Sequence, residues 1–482
     1  MFLDRIVQQT NKDLVERKQV VPIEVLMQHA MEQPQPRDLL EAFVPRDRVH
    51  LIAEVKRASP SKGLLAPDLD PVATALTYEA NGASVISVLT EPHFFLGAPE
   101  FLTAIKRAVT IPVLRKDFIF DDYQVYEARA WGADAILLIC AILDDTQLRR
   151  LLTLAHDLRM RALVEVHSAE EAARAVAAGA HIIGVNSRDL TTFKMNPYLI
   201  REIRQQLPAD RIIVAESGIH SQADVRRLAR YDVQAMLVGE SLVVSQDIPG
   251  QIRMLLNGAN KTTQVKICGL SDAESLDTAV EAGADMLGFI FYPPSHRYIE
   301  PDKVKALLTA SRSYADAETQ VQPDLVGVFV NKEADFINEV IESAGLHYVQ
   351  LHGNESPELC RQIKRPVIKA LSVTSKEDLE RLNDYATVVW RLLIDTPTPE
   401  WGGTGRTGDW QLAQQATRLH KILLAGGLTS ENVVSALQAV RPWGIDVSSG
   451  VETNKRKDPE KIRTFLGQIR QYEAQQEKGQ YA

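Results

Sequence analysis

Up to Pro36 the chain is largely polar. Leu3, Ile6, Val7, Leu14, Ile23, Leu26 and Met27 recur at roughly helical spacing, and prolines at 34 and 36 close the stretch. This pattern predicts helices ahead of the main fold. From Leu51 onward the apolar residues gather instead into short runs rich in Val, Ile and Leu. Each run is followed by a longer, helix-like segment, as parallel strands buried on both faces require. Eight such runs follow one another: Leu51–Val55, Val85–Leu89, Pro112–Leu114, Ala135–Ile139, Ala162–Val166, His181–Val185, Ile212–Ala215 and Ala235–Val238. Their spacing suits a strand, a loop and a crossover helix per repeat, which predicts a closed (β/α)8 barrel.

A polar stretch from Asn257 to Thr263 then breaks the pattern and reads as a linker between two domains, residues 1–256 and 264–482. After it come Val265–Ile267, Met286–Phe291, Leu325–Val330, His347–Leu351, Pro366–Leu371, Leu392–Ile394, Ile422–Ala425 and Gly444–Val447, again eight. The expected architecture is α/β, two consecutive (β/α)8 TIM barrels with helices before the first. An open doubly wound sheet is the alternative. Eight runs per series and the lack of a glycine-rich first turn of the dinucleotide type disfavour it. Thr309–Pro323 and the tail beyond Gln471 are polar enough to be surface helix or loop.

Composition narrows the function classes. A length of 482 residues accommodates two barrels of about 200 to 250 residues each. With 45% hydrophobic and 24% charged residues the chain is of ordinary globular make-up, which excludes collagen-like and wholly disordered readings. Lys and Arg number 54 against 63 Asp and Glu, a net charge of −9. No global basic field exists to hold nucleic acid or an acidic membrane surface, so an anionic small substrate needs a local site. Cys140, Cys268 and Cys360 are too few and too scattered for a disulfide framework or a cysteine zinc cluster, and a reducing cytosol is the expected compartment. The longest apolar run, Ala135 to Leu143, falls well short of the ~20 residues of a membrane helix, and Met1 to Arg5 begins no apolar signal core.

In such barrels the site lies where strands end, and side chains two apart share a face. Glu54 and Lys56 close the first run, Lys116 the third, Glu165 the fifth, Asn186 the sixth, and Glu216 with Ser217 the seventh. Taken singly, each charge could be a solvated rim residue. Together, five ionisable groups in one mouth are expected to perturb one another and to yield an acid and a base working near neutrality. Gly218 after the seventh run and Gly239-Glu240 after the eighth put backbone N–H groups where barrels often bind phosphate, although turn geometry alone would also favour glycine there.

Five strings carry a family likeness: Ile52 to Gly63 (IAEVKRASPSKG), Leu114 to Phe118 (LRKDF), Ala162 to His167 (ALVEVH), Gly184 to Leu190 (GVNSRDL) and Ala215 to Ile219 (AESGI). In that order and at five strand ends, they closely resemble indole-3-glycerol-phosphate synthase. The resemblance implies cyclisation of 1-(2-carboxyphenylamino)-1-deoxyribulose 5-phosphate with loss of carbon dioxide and water. It makes Lys116 the general acid, favoured by desolvation beside another cation. Lys56 would hold the aryl carboxylate, Glu54 orient Lys56, and Glu165 move a proton during water loss. Asn186, Arg188, Glu216 and Ser217 would fix the substrate; Ser59, Gly218, Gly239 and Glu240 would hold its phosphate, and Phe118 would wall its aromatic ring.

The second series puts Cys268 at its first strand end, where by position alone a cysteine is most often an inert small hydrophobe. Asp395 ends the sixth run, ahead of the glycine loop Gly402 to Gly405, an anion cradle. Gly426 and Gly427 follow the seventh run, and Ser448, Ser449 and Gly450 the eighth. With Arg297 and His352 these positions, in the strings Lys266 to Gly269 (KICG), Gly288 to Pro293 (GFIFYP), Ser295 to Ile299 (SHRYI), Val349 to Gly353 (VQLHG) and Asp446 to Glu452 (DVSSGVE), resemble phosphoribosylanthranilate isomerase. The resemblance implies an Amadori rearrangement that yields the first barrel's substrate. Asp395 would protonate the ribose ring oxygen and Cys268, as thiolate, remove the C2 proton. Arg297 would take the anthranilate carboxylate, and His352 would shape the pocket. Gly403, Thr404, Gly405, Gly426, Gly427, Ser448 and Ser449 would line the phosphate end.

Arg391 has the parity of Leu393 and Asp395 and so points at the barrel floor; a paired buried arginine or a local bulge would each accommodate it. No metal, nucleotide or flavin cofactor is expected, because proton transfer and electrostatic stabilisation suffice for both steps. A monomer is the default, since one chain already supplies two folded units. Two competing readings remain: barrels acting on other phosphosugars, or one barrel serving as a catalytically dead interaction module.

Overall fold

The structure, a computed structural model, describes residues 2–45, 48–60, 62–189, 194–196, 199–208, 210–260, 262–315, 322–395 and 410–480. The chain divides into two compact units, Met1–Lys261 and Thr262–Ala482.

In the first unit eight parallel strands close into a barrel: β1 (His50–Val55), β2 (Val85–Leu89), β3 (Val113–Lys116), β4 (Ala135–Ile139), β5 (Arg161–Val166), β6 (Ile182–Asn186), β7 (Ile212–Glu216) and β8 (Ala235–Val238). Alternation along each strand sorts the apolar side chains into two layers. Ile52, Val85, Leu114, Leu137, Leu163, Ile182, Val214 and Leu237 fill the interior. Leu51, Ala53, Ile86, Ile136, Val164, Ile183 and Met236 face the surrounding helices. The near-continuous apolar runs in the sequence are these two layers interleaved.

Two helices precede the barrel, α1 (Phe2–Val20) and α2 (Ile23–Glu32), separated where Pro22 starts the second. Leu14 and Leu26 bury against Tyr123 of helix α3 (Asp122–Ala130). Arg17 pairs with Glu127 at 2.7 Å, and the Tyr123 hydroxyl donates to the carbonyls of Arg17 and Val21. These bonds lay the start of α1 against the barrel mouth, where Ile6 joins the interior cluster.

The second unit repeats the plan with β9 (Gln264–Cys268), β10 (Met286–Ile290), β11 (Asp324–Phe329), β12 (Tyr348–Leu351), β13 (Val367–Ser372), β14 (Arg391–Asp395), β15 (Ile422–Leu424) and β16 (Gly444–Val447). The expected pair of barrels with leading helices is borne out, with strand ends moved by a residue or two. In its interior Lys266, Gln350 and Arg391 are buried alongside Met286, Val326, Ile368 and Leu393. The tail beyond Gln471 belongs to a helix, α4 (Pro459–Gln480), that buries Ile462, Phe465, Leu466 and Ile469 at helical spacing. Of Thr309–Pro323, Thr309 and Ala310 end the helix Pro301–Ala310, Arg312–Ala315 is helical and 316–321 lie outside the described residues. Asn257 caps the helix Ile248–Leu256, and Ala259 is buried in the first unit, its carbonyl accepting from the Val49 N–H at 2.7 Å.

Arg391 forms no bulge: it pairs in register with Ile368 and is buried. Its guanidinium lies 4.5 Å from the Trp390 ring centroid and 4.8 Å from that of Trp443, and Nη1 donates to the Trp390 carbonyl. Flanking aromatic faces offset its desolvation.

Candidate functional site

The strand ends of the first barrel surround one pocket, and all of its sequence-identified residues line it: Glu54, Lys56, Ser59, Lys116, Phe118, Glu165, Asn186, Arg188, Glu216, Ser217, Gly218, Gly239 and Glu240. Leu3 and Ile6 of α1 line it too, and Phe95 packs 6.1 Å from Phe118, so one side of the pocket is apolar. The Ser59 hydroxyl is buried without a hydrogen-bond partner among the described residues, a donor available to a ligand. Glu240 faces Lys62 at 3.8 Å and Arg188 at 3.9 Å.

Charge pairing in this mouth is specific. Lys56 meets Glu54 at 2.7 Å, and Lys116 meets Glu216 at 2.6 Å and Glu165 at 3.3 Å. Asn186 bridges, donating to Glu165 and accepting from the Ser217 hydroxyl. Burial would lower the Lys116 pKa, but Glu216, Glu165 and Glu54 outweigh it and raise it. This corrects the expectation that a neighbouring cation would make Lys116 more acidic: carboxylates outnumber cations around it. Burial also raises Glu54, yet Lys56 and Lys116 hold its carboxyl below the usual range. In Glu216 burial dominates, joined by the charge of Glu165 and opposed by Lys116, and the carboxyl rises to about 8. Glu165 goes the other way, as Lys116 and His167 overcome its burial. The mouth therefore holds one carboxyl pushed up by burial and one held down by its cationic neighbours, both in contact with the same ammonium.

Gly184 makes this arrangement possible. It pairs in register with Glu165 on β5, and a Cβ on it would overlap Glu216 Oε1. The missing side chain on β6 is the gap across which Glu165 and Glu216 approach.

In the second barrel Cys268, Arg297, His352, Asp395, Gly426, Gly427, Ser448 and Ser449 line a second pocket. Gly403, Thr404 and Gly405 lie outside the described residues. His352 Nε2 stands 3.2 Å from Asp395 Oδ2, and its Nδ1 lies 2.8 Å from Gln350 Nε2. The two ring nitrogens of His352 thus link Gln350 on β12 to Asp395 on β14. Arg297 is already engaged: its Nε and Nη2 donate to the two oxygens of Glu452 at 2.7 and 2.9 Å. Lys457 joins Glu452 at 2.6 Å.

Several of these partners were not singled out from sequence. His167 lies 3.3 Å from Glu165 and 3.5 Å from Glu171; burial lowers its pKa, but both carboxylates outweigh it and raise it to about 10. Its parity with Glu165 was the available signal. Gln350 shares the same parity with His352, whereas Glu452 and Lys457 offered no such signal, for they lie on a hairpin beyond the last strand.

Strand-end acid–base clusters and glycine turns in each of two TIM barrels define a tandem βα-barrel enzyme fold. Residues 3–255 match indole-3-glycerol phosphate synthase, and residues 265–468 match N-(5'phosphoribosyl)anthranilate (PRA) isomerase. The chain belongs to the indole-3-glycerol phosphate synthase family through its first barrel and to the PRA isomerase family through its second. It is 38% identical over 435 residues to the tryptophan biosynthesis protein TrpCF of Yersinia pestis, covering 88% of this chain and 86% of that protein. The multifunctional tryptophan biosynthesis proteins of Phycomyces blakesleeanus and Schizosaccharomyces pombe are 37% and 39% identical, over 86% and 87% of this chain. The chain spans 62% and 59% of the length of those two relatives.

Proposed function

We propose that this chain catalyses two consecutive steps of tryptophan biosynthesis in the cytoplasm, as a monomer. Residues 264–482 rearrange N-(5-phosphoribosyl)anthranilate, residues 1–256 close the indole ring of the product with loss of carbon dioxide and water, and 257–263 join the two. The observation that carries this reading is that every described residue assigned by motif lines one of two pockets, one in each family's span.

In the second barrel Asp395, beside His352, protonates the ring oxygen of the phosphoribosyl group, and Cys268 takes the C2 proton. The Nε and Nη2 of Arg297 stay clamped on Glu452, and Nη1 serves the anthranilate carboxylate. The glycine and serine turns after β15 and β16 hold the phosphate.

In the first barrel Lys116 delivers a proton to the substrate carbonyl as the ring closes. Glu216 and Glu165, in contact with its ammonium, steady the resulting charges and pass the proton involved in water loss. Lys56, oriented by Glu54, holds the aryl carboxylate; the apolar side formed by Leu3, Ile6 and Phe118 receives the ring. Ser59, Gly218, Gly239 and Glu240 serve the phosphate.

Incubation of chelator-treated protein with phosphoribosylanthranilate tests both barrels, following loss of the anthranilate chromophore together with indole absorbance. Indole-3-glycerol phosphate formed without added metal is the expected product. Accumulation of the carboxyphenylamino-deoxyribulose phosphate would restrict activity to the second barrel and make the first the inactive module; no conversion would overturn the reading.

A further inference from the structure

The acid–base chemistry of the second barrel leaves one buried charge without a task. Lys266 is fully enclosed and stands on β9 two residues before Cys268, so both side chains leave the same face of the strand. Asp446 on β16 lies opposite Lys266 in register and accepts from its ammonium at 2.9 Å. On the other side β10 presents Gly288 opposite Cys268, and a Cβ there would come within 3.1 Å of both Cys268 Sγ and Lys266 Cε. The bare glycine is what lets the lysine stem and the thiol share one flank. Packed apolar groups would fill this space at least as stably as a buried ion pair, so stability does not account for it.

The charged groups facing the thiol come from every neighbouring element. Lys266 belongs to its own strand, Asp446 to β16, Glu452 and Lys457 to the hairpin after β16, and Arg297 to the loop after β10, where it packs on Gly269. Asp395 and His352 complete the pocket from β14 and β12. Closest to the sulfur, two cations, Lys266 and Lys457, face one carboxylate, Asp446. Burial drives the Cys268 thiol up, and Lys266 is the foremost group opposing that rise.

We propose that Lys266 is the positioning residue that gives Cys268 its basic form: anchored on Asp446, its ammonium is the fixed counter-charge of the thiolate. It acts through the sulfur and does not touch substrate. The inference rests on Cys268 being the base of the isomerase reaction.

The test is the pH dependence of Cys268 alkylation by iodoacetamide in the full chain without substrate, read by peptide mass. Peptide mass separates Cys268 from Cys140 and Cys360, whose thiols burial pushes up to about 12 and about 11. K266M is expected to raise the alkylation midpoint by at least one pH unit, about tenfold in rate below it, and K266R to restore most of that loss. D446N, which frees the ammonium, is expected to lower the midpoint. A packing role would move K266M and D446N in the same direction, and that result, or an unchanged midpoint in folded K266M, overturns the proposal. If K266M does not fold, the double variant K266M/D446L leaves no unpaired buried charge; a smaller upward shift is expected and an unchanged midpoint is again decisive. Failure of the wild-type isomerase assay would remove the role of the thiolate and leave the measured midpoints standing, so the two failures are distinguishable.

Discussion

Lys116 donates to Glu216 at 2.6 Å across the mouth of the first barrel, although 100 positions separate them in the chain. The contact keeps the proposed acid fully protonated, and it places beside it a carboxyl whose pKa burial has raised to about 8. K116M removes the cation that Glu165 and Glu216 share, so ring closure is expected to fall by about 10² to 10⁴ while isomerisation is unchanged. Separate assays of the two steps check this; equal loss of both would point to global damage.

Gly184 is the spacer behind that contact. In G184A the new methyl displaces the Glu216 carboxylate and also meets Leu163 Cδ1 at 3.2 Å. Synthase activity is expected to drop, with about 1–3 kcal/mol lost from the first barrel's stability. Assay and denaturant titration of the variant should show both effects, and full synthase activity would mean that the position of Glu216 is immaterial.

Glu452 sets an acid limit on the second barrel. Burial raises its carboxyl, but Arg297 and Lys457 outweigh this and lower it from 4.5 to about 2. A carboxyl depressed in the folded state stabilises above its unfolded value and ceases to do so as pH falls from 4.5 to about 2, here on the order of 3 kcal/mol. The stability gap between wild type and E452Q is therefore expected to be widest at pH 7 and to narrow towards pH 3. Urea titrations at several pH values measure it; a gap independent of pH would contradict the ion-pair account.

Arg391 holds the floor of the same barrel between Trp390 and Trp443. R391A leaves a cavity between two rings and is expected to cost about 2–4 kcal/mol. Indole fluorescence during thermal unfolding reads the loss directly. Isomerase rate well below the transition should be preserved, because Asp395 sits at the other end of β14.

Much of this was legible in one dimension. Strand periodicity repeats locally, so two sets of eight runs predict two barrels, and a parity of two tells which strand-end side chains share a mouth. That is why Glu54, Lys56, Lys116, Glu165 and Glu216 could be placed together from sequence. It is also why Arg391 could be aimed at the barrel floor, although the two tryptophans that receive it could not be named.

Which charge meets which was decided by closure of the barrels. Arg297 and Glu452 lie 155 positions apart and Lys266 and Asp446 180 apart, and each pair depends on the register of neighbouring strands and loops. Sequence alone set Lys116 beside a cation, whereas the folded barrel sets it among carboxylates and reverses the direction of its pKa shift. Periodicity is a property of nearby residues and is written in the chain itself. Electrostatic pairing in a desolvated mouth depends on distances of a few ångströms between distant residues, and those exist only once the strands have closed.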